Sequence, residues 1–481
     1  MDRGNLARLG GSLSLPLGLA LALVASPGAA AAQGPRASTC EVTRYGAKGD
    51  GRTLATLAIQ RAIDACAAAG GGIVLLPGGA FRSGTLVLKD NVTLRIAPGA
   101  MLVASPRITD FTPYPAKDVP LIAIDGSTQN KGNGPYHLIQ ASGARHIAID
   151  GGGTIDGNGA RYWDPDPQKL FVSRRPRPSP LIEFADSAGI RIEDIKVRNA
   201  AGWTIHPLQS SDIRIEGVSI VNDPHGPNTD GIDVDSSRNV MIRDVSIDAG
   251  DDCIVLKTTG RTGVRPVRPT ANVIVSGLVC SSDDQGVKIG TETLGDIRDV
   301  IFTDLLIYRS ERQFRPPTAG ISISMVDGSV LENILVSNVV VRDAATPFFL
   351  RLGNRGRGQK VPVPGRARNI MLSDIVATGG TLASSITGLP GFPIEKVTLS
   401  NVRIQMAGGG KTAAIAVPEA PGDYPQAPMF GPLPASGIYA RHVDGLALRG
   451  VELATGRPDT RPPIVLDDVR LVPDQRPGSS R

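Results

Sequence analysis

Little in this sequence could cross a membrane, hold zinc or read nucleic acid. After the first thirty or so residues no apolar run is long enough to span a bilayer, which takes about 20 residues. No cysteine or histidine group has the spacing of a zinc site. Aromatic residues make up 4% of the chain, and no basic stripe interleaves with them, which excludes the usual signatures of nucleic-acid binding. The net charge of +5 is mild and favours an acidic polymer only through long-range attraction. Helix formers do not dominate. Gly is abundant, with 57 residues, and short Val/Ile-rich runs recur between Asn, Asp, Ser and Gly, a pattern of strands and turns.

Residues 1–32 read as a secretory signal. Arg3 and Arg8 supply a basic start, Leu13 to Val24 an apolar run too short to be a comfortable membrane anchor, and Ala30-Ala31-Ala32 a small-residue cleavage site. The expectation is an exported protein, secreted or periplasmic. All four cysteines, Cys40, Cys66, Cys253 and Cys280, lie beyond that segment. An even count in an oxidising compartment allows two disulfides, and sequence neighbourhood favours Cys40–Cys66 and Cys253–Cys280. Free buried thiols are the alternative.

Past the signal, Ile59, Ala62, Ile63 and Cys66 fall on one face of a short helix that Gly70-Gly71-Gly72 terminates. Ile73 to Leu76 then forms a buried strand. A short helix here would cover an otherwise unpaired sheet edge. The body repeats. Ile190 to Val197, Ile213 to Ile220 and Val240 to Ile247 each read as aliphatic alternation, a small or acidic turn, and a second alternation. Further copies begin at Val273, Val300, Ile334, Ile370 and Val397, with weaker ones at Ile147 and Leu446, at a period of roughly 23 to 36 residues. The unit holds two or three strands and no helix, which excludes helical and leucine-rich repeats. A β-propeller would need four strands per blade. The expected fold is all-β, a right-handed single-stranded parallel β-helix with a short N-terminal capping helix, forming one domain over residues 39–472. Residues 418–434, rich in proline, read as a loop packed on the stack.

Two acidic clusters stand out within these repeats: Asn228-Thr229-Asp230-Gly231 and, one coil later, Gly250-Asp251-Asp252-Cys253. Strand patterns follow both, at Ile232-Asp233-Val234 and Ile254-Val255-Leu256. Asp and Gly are common at turns for local reasons, but adjacent rungs of a sheet lie about 4.8 Å apart, so these carboxyls can face one cleft. Two carboxyl groups across a bond, one protonated and one ionised, with room for a water, are the minimal apparatus for hydrolysing a glycoside. Crowding raises the pKa of one member and leaves it a proton to donate.

These clusters, with Tyr45-Gly46-Ala47-Lys48-Gly49-Asp50-Gly51, Gly153-Thr154-Ile155-Asp156-Gly157-Asn158-Gly159 and Trp203-Thr204-Ile205-His206-Pro207, resemble glycoside hydrolase family 28, the polygalacturonase and rhamnogalacturonase group. The resemblance implies hydrolysis with inversion of a pectin-type polysaccharide or oligosaccharide. It implies Asp251 as general acid, Asp230 and Asp252 as the pair that activates water, Asn228 as a cleft residue, and a Cys253–Cys280 disulfide beside the catalytic coil. For Asn228 a turn ladder of stacked Asn side chains is the alternative. No cofactor or metal is implied. Two departures matter. Gln285 stands where the family's Gly-His-Gly histidine is expected, and Ser322-Ile323-Ser324 replaces its Arg-Ile-Lys, which binds galacturonate carboxylate. A buried carboxylate without a charged partner is costly to bind, so a rhamnogalacturonan- or rhamnoside-directed specificity competes with a polygalacturonate one.

Lys288 and Lys257 are the candidate replacement cations, against the alternative of solvated lysines. Gln285 completes the candidate substrate-binding set. His225 reads as a turn histidine, His206 as a hydrogen-bonded structural one, and Arg351, Arg355 and Arg357 as a solvated basic loop. Two other functions compete: a calcium-dependent polysaccharide lyase on the same fold, which would not require this acid pairing, and a non-catalytic carbohydrate-binding β-helix. A capped single stack is expected to be a monomer, with neither nucleic acid nor membrane as partner.

Overall fold

The computed structural model describes residues 38–114, 134–166, 170–174, 176–259, 267–411 and 415–472, all within one compact unit. The signal-like residues 1–32 lie outside the described residues. Among the described residues no helix is long and apolar enough to cross a membrane.

The architecture is a parallel β-helix. Among the described residues thirty strands join in one continuous sheet, in which strands pair with those one coil away. The repeats found in the sequence set the register. Ile190, Ile213, Val240, Val273, Val300, Ile334, Ile370, Val397 and Leu446 follow one another rung by rung. Alternation along each strand sends these residues inward, so the core is one stacked aliphatic column. At one corner a ladder of left-handed Asn and Asp residues turns the chain. Asn239 donates to Asp212, and Asn272 to Asn239, each at 2.9 Å. A short polar side chain tolerates that conformation and bonds its neighbour one coil away.

At the N-terminal end the helix Thr56–Ala68 buries Ile59, Ala62, Ile63 and Cys66 over the first coil, as its periodicity predicts. Cys40 is bonded to Cys66, and Cys253 to Cys280 on adjacent rungs, with Cα atoms 6.0 and 6.3 Å apart. Residues 415–433 pack across the outer face of the later coils, where Ala427, Phe430 and Leu433 meet Phe349 and Tyr439.

Candidate active site

The outer face of one sheet forms the floor of the site. Its strands are Ile205–Leu208, Ile232–Asp235, Ile254–Thr258, Gln285–Thr293 and Ala319–Met325. Ile205, Ile232, Ile254, Val287 and Ile321 stack inward in register. The residues between them therefore point outward: His206, Asp233, Asp235, Lys257, Lys288, Ser322 and Ser324.

The acidic clusters end the turns that lead into these strands. The backbone carries Asp230 onto Asp252, because Gly231 N–H donates to the Asp252 carbonyl at 2.9 Å. The motif glycines are there for close approach. A Cβ on Gly231 would lie 2.5 Å from the Cys253 carbonyl oxygen, and one on Gly250 would lie 2.6 Å from that of Asp223. The result is a cluster in which Asp230, Asp251 and Asp252 each offer a carboxylate oxygen within 4.8 Å of the others. Asp230 and Asp252 are buried, while Asp251 is partly exposed. Asn228, in a left-handed conformation, does not join a turn ladder; its Nδ2 donates to Asp251 Oδ2 at 3.1 Å.

This crowding controls protonation. Burial, with Asp233 and Asp251 nearby, pushes Asp230 well above the usual carboxylate range. Burial and Asp284 push Asp251 up to about 6, against the pull of Lys288 and Lys257. Burial likewise pushes Asp252 up, but the Lys288 ammonium lies 2.7 Å from its Oδ2 and pulls the other way. A neutral Asp252 would leave a buried ammonium unpaired, which costs several kcal/mol. The Lys288 contact therefore favours negative charge on Asp252 against the burial that opposes it, and the three acids titrate as one coupled group.

The other expected cleft residues are in place but engaged. Lys257 is buried with its Nζ 2.9 Å from Asp233 and 3.8 Å from Glu292, and 3.6 Å above the centre of the Trp203 ring. Gln285 is buried and donates to Asp284 at 2.9 Å. Neither lysine is solvated. The expectation of a solvated basic loop at Arg351, Arg355 and Arg357 is corrected. Arg351 is 2% exposed and donates to the carbonyls of Glu419 and Ala420, Arg355 pairs with Asp327 at 2.6 Å, and Arg357 reaches Glu292 at 3.4 Å. These arginines lie where residues 415–433 cover the strands, so carbonyls and carboxylates replace water around them. Lys257, Arg355, Arg357 and Lys288 outweigh the burial of Glu292 and hold its carboxyl down at about 2.

His206 is structural, as expected. It is fully buried, with Nδ1 2.9 Å from Glu183 and Nε2 3.5 Å from Asp235. His225 lies against the Phe314 ring, with centroids 4.6 Å apart. Sequence reasoning missed Asp233, Glu292 and Asp284 as partners of the site cations and acids. The alternation Ile232-Asp233-Val234-Asp235 could have placed Asp233 on the outer face; Glu292 and Asp284 carried no comparable signal.

Several buried polar atoms of this floor have no hydrogen-bond partner among the described residues: Asp230 Oδ1, Asp252 Oδ1, Gln285 Oε1, Ser322 Oγ and Ser324 Oγ. Native interiors rarely strand such atoms, so this floor carries polar groups whose hydrogen bonds the described residues do not complete. The three acidic oxygens are close enough to share a cation, but Lys288 already neutralises the Asp252 side.

Comparison with known proteins bears on the family and the fold. Residues 106–421 match the family model for glycosyl hydrolases family 28, and residues 39–104 match one described as rhamnogalacturonase A/epimerase, pectate lyase-like. A probable polygalacturonase of Vitis vinifera is 31% identical over 388 residues, which span 78% of this chain and 76% of that protein. The hyperthermoactive exopolygalacturonase of Thermotoga maritima shares the fold with a TM-score of 0.64 at 23% identity, covering 77% of this chain and 87% of its own. The Streptococcus pneumoniae surface adhesin PfbA shares it too, with a TM-score of 0.53 at 14% identity and coverages of 90% and 100%. The fold alone therefore does not separate enzyme from adhesin. The family match does: this chain belongs to glycosyl hydrolases family 28.

Proposed function

We propose that this glycoside hydrolase is an exported enzyme that cleaves a pectin-type polysaccharide or its oligosaccharides with inversion, in the manner of a polygalacturonase. Asp251, partly exposed and with its carboxyl raised to about 6, protonates the leaving oxygen. Asp230 and Asp252 hold and deprotonate the water. The observation that carries this reading is the convergence of three carboxyls, two of which, those of Asp230 and Asp252, each keep an oxygen without a hydrogen-bond partner among the described residues.

The carboxyl oxygens lie closer together than the roughly 6.5–9.5 Å of most inverting pairs. Asp251 and Asp252 are chain neighbours and Asp230 is one rung away, which brings one oxygen of each within 4.8 Å of the others. The close spacing suits one water shared by two carboxylates: oxygens up to 4.8 Å apart can each accept a hydrogen bond of about 2.7 Å from it.

The test is product release from polygalacturonate, rhamnogalacturonan and their oligosaccharides by the wild type and Asp251→Asn. The proposal expects cleavage that the substitution abolishes, a first product of inverted anomeric configuration by proton NMR, and no ultraviolet-absorbing unsaturated sugar. An unsaturated product would mean a lyase. Binding without cleavage of any of them would mean a non-catalytic β-helix.

One observation favours a second reading, a rhamnogalacturonan- or rhamnoside-directed hydrolase. Lys288, Lys257, Arg355 and Arg357 all face protein carboxylates, and Ser322 and Ser324 offer hydroxyls where the family's cations stand. A floor of this kind suits a neutral sugar at the centre of the site. Cleavage of rhamnogalacturonan but not polygalacturonate would establish it.

A further inference from the structure

At the rim of the site the loop between the strands Ile297–Tyr308 and Ala319–Met325 exposes two residues. Phe314 is 52% exposed, and Arg315 beside it is exposed as well. Single exposed apolar residues are ordinary. The anchoring of this loop is not. Arg312 pairs with Asp248 at 2.5 Å and donates to the Asn222 carbonyl at 2.9 Å. Gln313, buried, donates to Asp248 Oδ1 at 2.6 Å and to the Ala249 carbonyl at 3.2 Å. Arg309 reaches back to the Phe314 carbonyl at 3.1 Å. Asp248 and Ala249 immediately precede Gly250-Asp251-Asp252, so the loop is fastened to the coil that carries the acids.

The tip is fixed to the same place from both sides. The Phe314 ring rests on His225, three residues before Asn228, which bonds Asp251. Arg315 Nε donates to the Asp283 carbonyl at 2.8 Å, and the neighbouring Ser282 hydroxyl donates to the Asp251 carbonyl at 2.6 Å. The guanidinium carbon lies 5.3 Å from the centre of the Phe314 ring. An apolar ring and a guanidinium are therefore held together next to the reacting centre, with their ordering already fixed by the fold. Preorganisation of this kind favours ligand binding.

We propose that Phe314 and Arg315 form a subsite for a uronate unit of the substrate chain, with the sugar ring against Phe314 and its carboxylate on the guanidinium of Arg315. Guanidinium and carboxylate match in shape and charge, and the apolar C–H face of a pyranose covers an aromatic ring. The subsite lies outside the floor whose cations face protein carboxylates, so a uronate can be recognised beside the scissile bond even where the centre takes a neutral sugar. This proposal rests on the pectin-type reading of the substrate.

The test uses Asp251→Asn protein titrated calorimetrically with oligogalacturonates of three to six units, alongside their methyl esters. Phe314→Ala and Arg315→Gln, added singly, are each expected to weaken binding of the free acids about tenfold. Phe314→Tyr should restore it. Methyl esters should bind the protein with and without Arg315→Gln equally. Unchanged affinity in both variants would overturn the subsite, as would absence of any binding. If the oligogalacturonates bind in this dependent way but the wild type cleaves no pectin-type substrate, the functional reading fails while the subsite stands. If the wild type cleaves them and neither variant alters binding, the subsite alone fails.

Discussion

Lys288 Nζ lies 2.7 Å from Asp252 Oδ2, with both side chains buried. The two residues come from neighbouring rungs, and this contact favours negative charge on Asp252 within a cluster of three acids. Charge-assisted bonds of this length are among the strong ones in proteins. Removing one partner of a buried ion pair typically costs 3–5 kcal/mol because the other is left uncompensated. Lys288→Met should therefore leave Asp252 neutral over a wider pH range. Since Lys288 opposes the burial that raises the Asp252 carboxyl, its loss moves the acidic limb of the kcat/KM profile to higher pH, and kcat at pH 5 should fall by about two orders of magnitude. An acidic limb that stays in place in a folded variant would show that Lys288 does not set the ionisation of the site.

On the proposed roles Asp251 sets the other limb. Its carboxyl is raised to about 6, first by burial and then by Asp284. A general acid must be protonated in the free enzyme, so kcat/KM should hold below about pH 6 and fall tenfold per unit above it. Asp284→Asn removes a raising charge and should shift this limb to lower pH. A limb unaffected by that substitution would dissociate Asp251 from it.

How much of this could be read from the sequence differs by element. The aliphatic column was legible because inward residues recur once per coil and the strand period of two leaves no choice of face. The three acids were legible because rung spacing converts a separation of one coil into a few ångströms, and the disulfide pairs because each joins cysteines close in sequence, 26 and 27 residues apart. The partners of Lys257 and Lys288 were not. Glu292 and Asp284 reach the site only through the register of later coils, which sequence spacing leaves open when turns vary in length. Arg351 misled for a related reason: nothing local announces that residues 415–433 return across the stack to cover it.

His206 offers a test of stability. Burial pulls its imidazole down, but Asp235 and Glu183 outweigh that and carry it to about 9. The folded value lies above the unfolded one, so the stabilisation is complete below about pH 6.5 and is lost as pH rises through 9. It amounts to at most about 3 kcal/mol. His206→Gln should lower the denaturation midpoint at pH 6 and much less at pH 10. An equal loss at both pH values would mean that packing, not charge, is what His206 contributes.

Arg351 supplies the last prediction. It lies on the strand Thr346–Leu352 and donates to the Glu419 and Ala420 carbonyls at 2.6 and 3.0 Å, while Arg441 donates to those of Val417 and Pro418, each at 2.7 Å. Two buried guanidiniums thus fasten the beginning of the proline-rich segment to the coils beneath it. A buried carbonyl left without a donor costs about 1–3 kcal/mol, and Arg351→Met strands two of them and removes the guanidinium that lies 5.3 Å from the centre of the Phe430 ring. The segment also carries Tyr424, which lies close enough to Lys288 to feel its charge. The substitution should therefore do two things: speed limited proteolysis within residues 415–433 by at least about tenfold, since local opening governs cleavage there, and raise KM by loosening that wall of the site. Proteolysis and KM both at wild-type values would mean that the apolar contacts of Ala427, Phe430 and Leu433 hold the segment without the arginine.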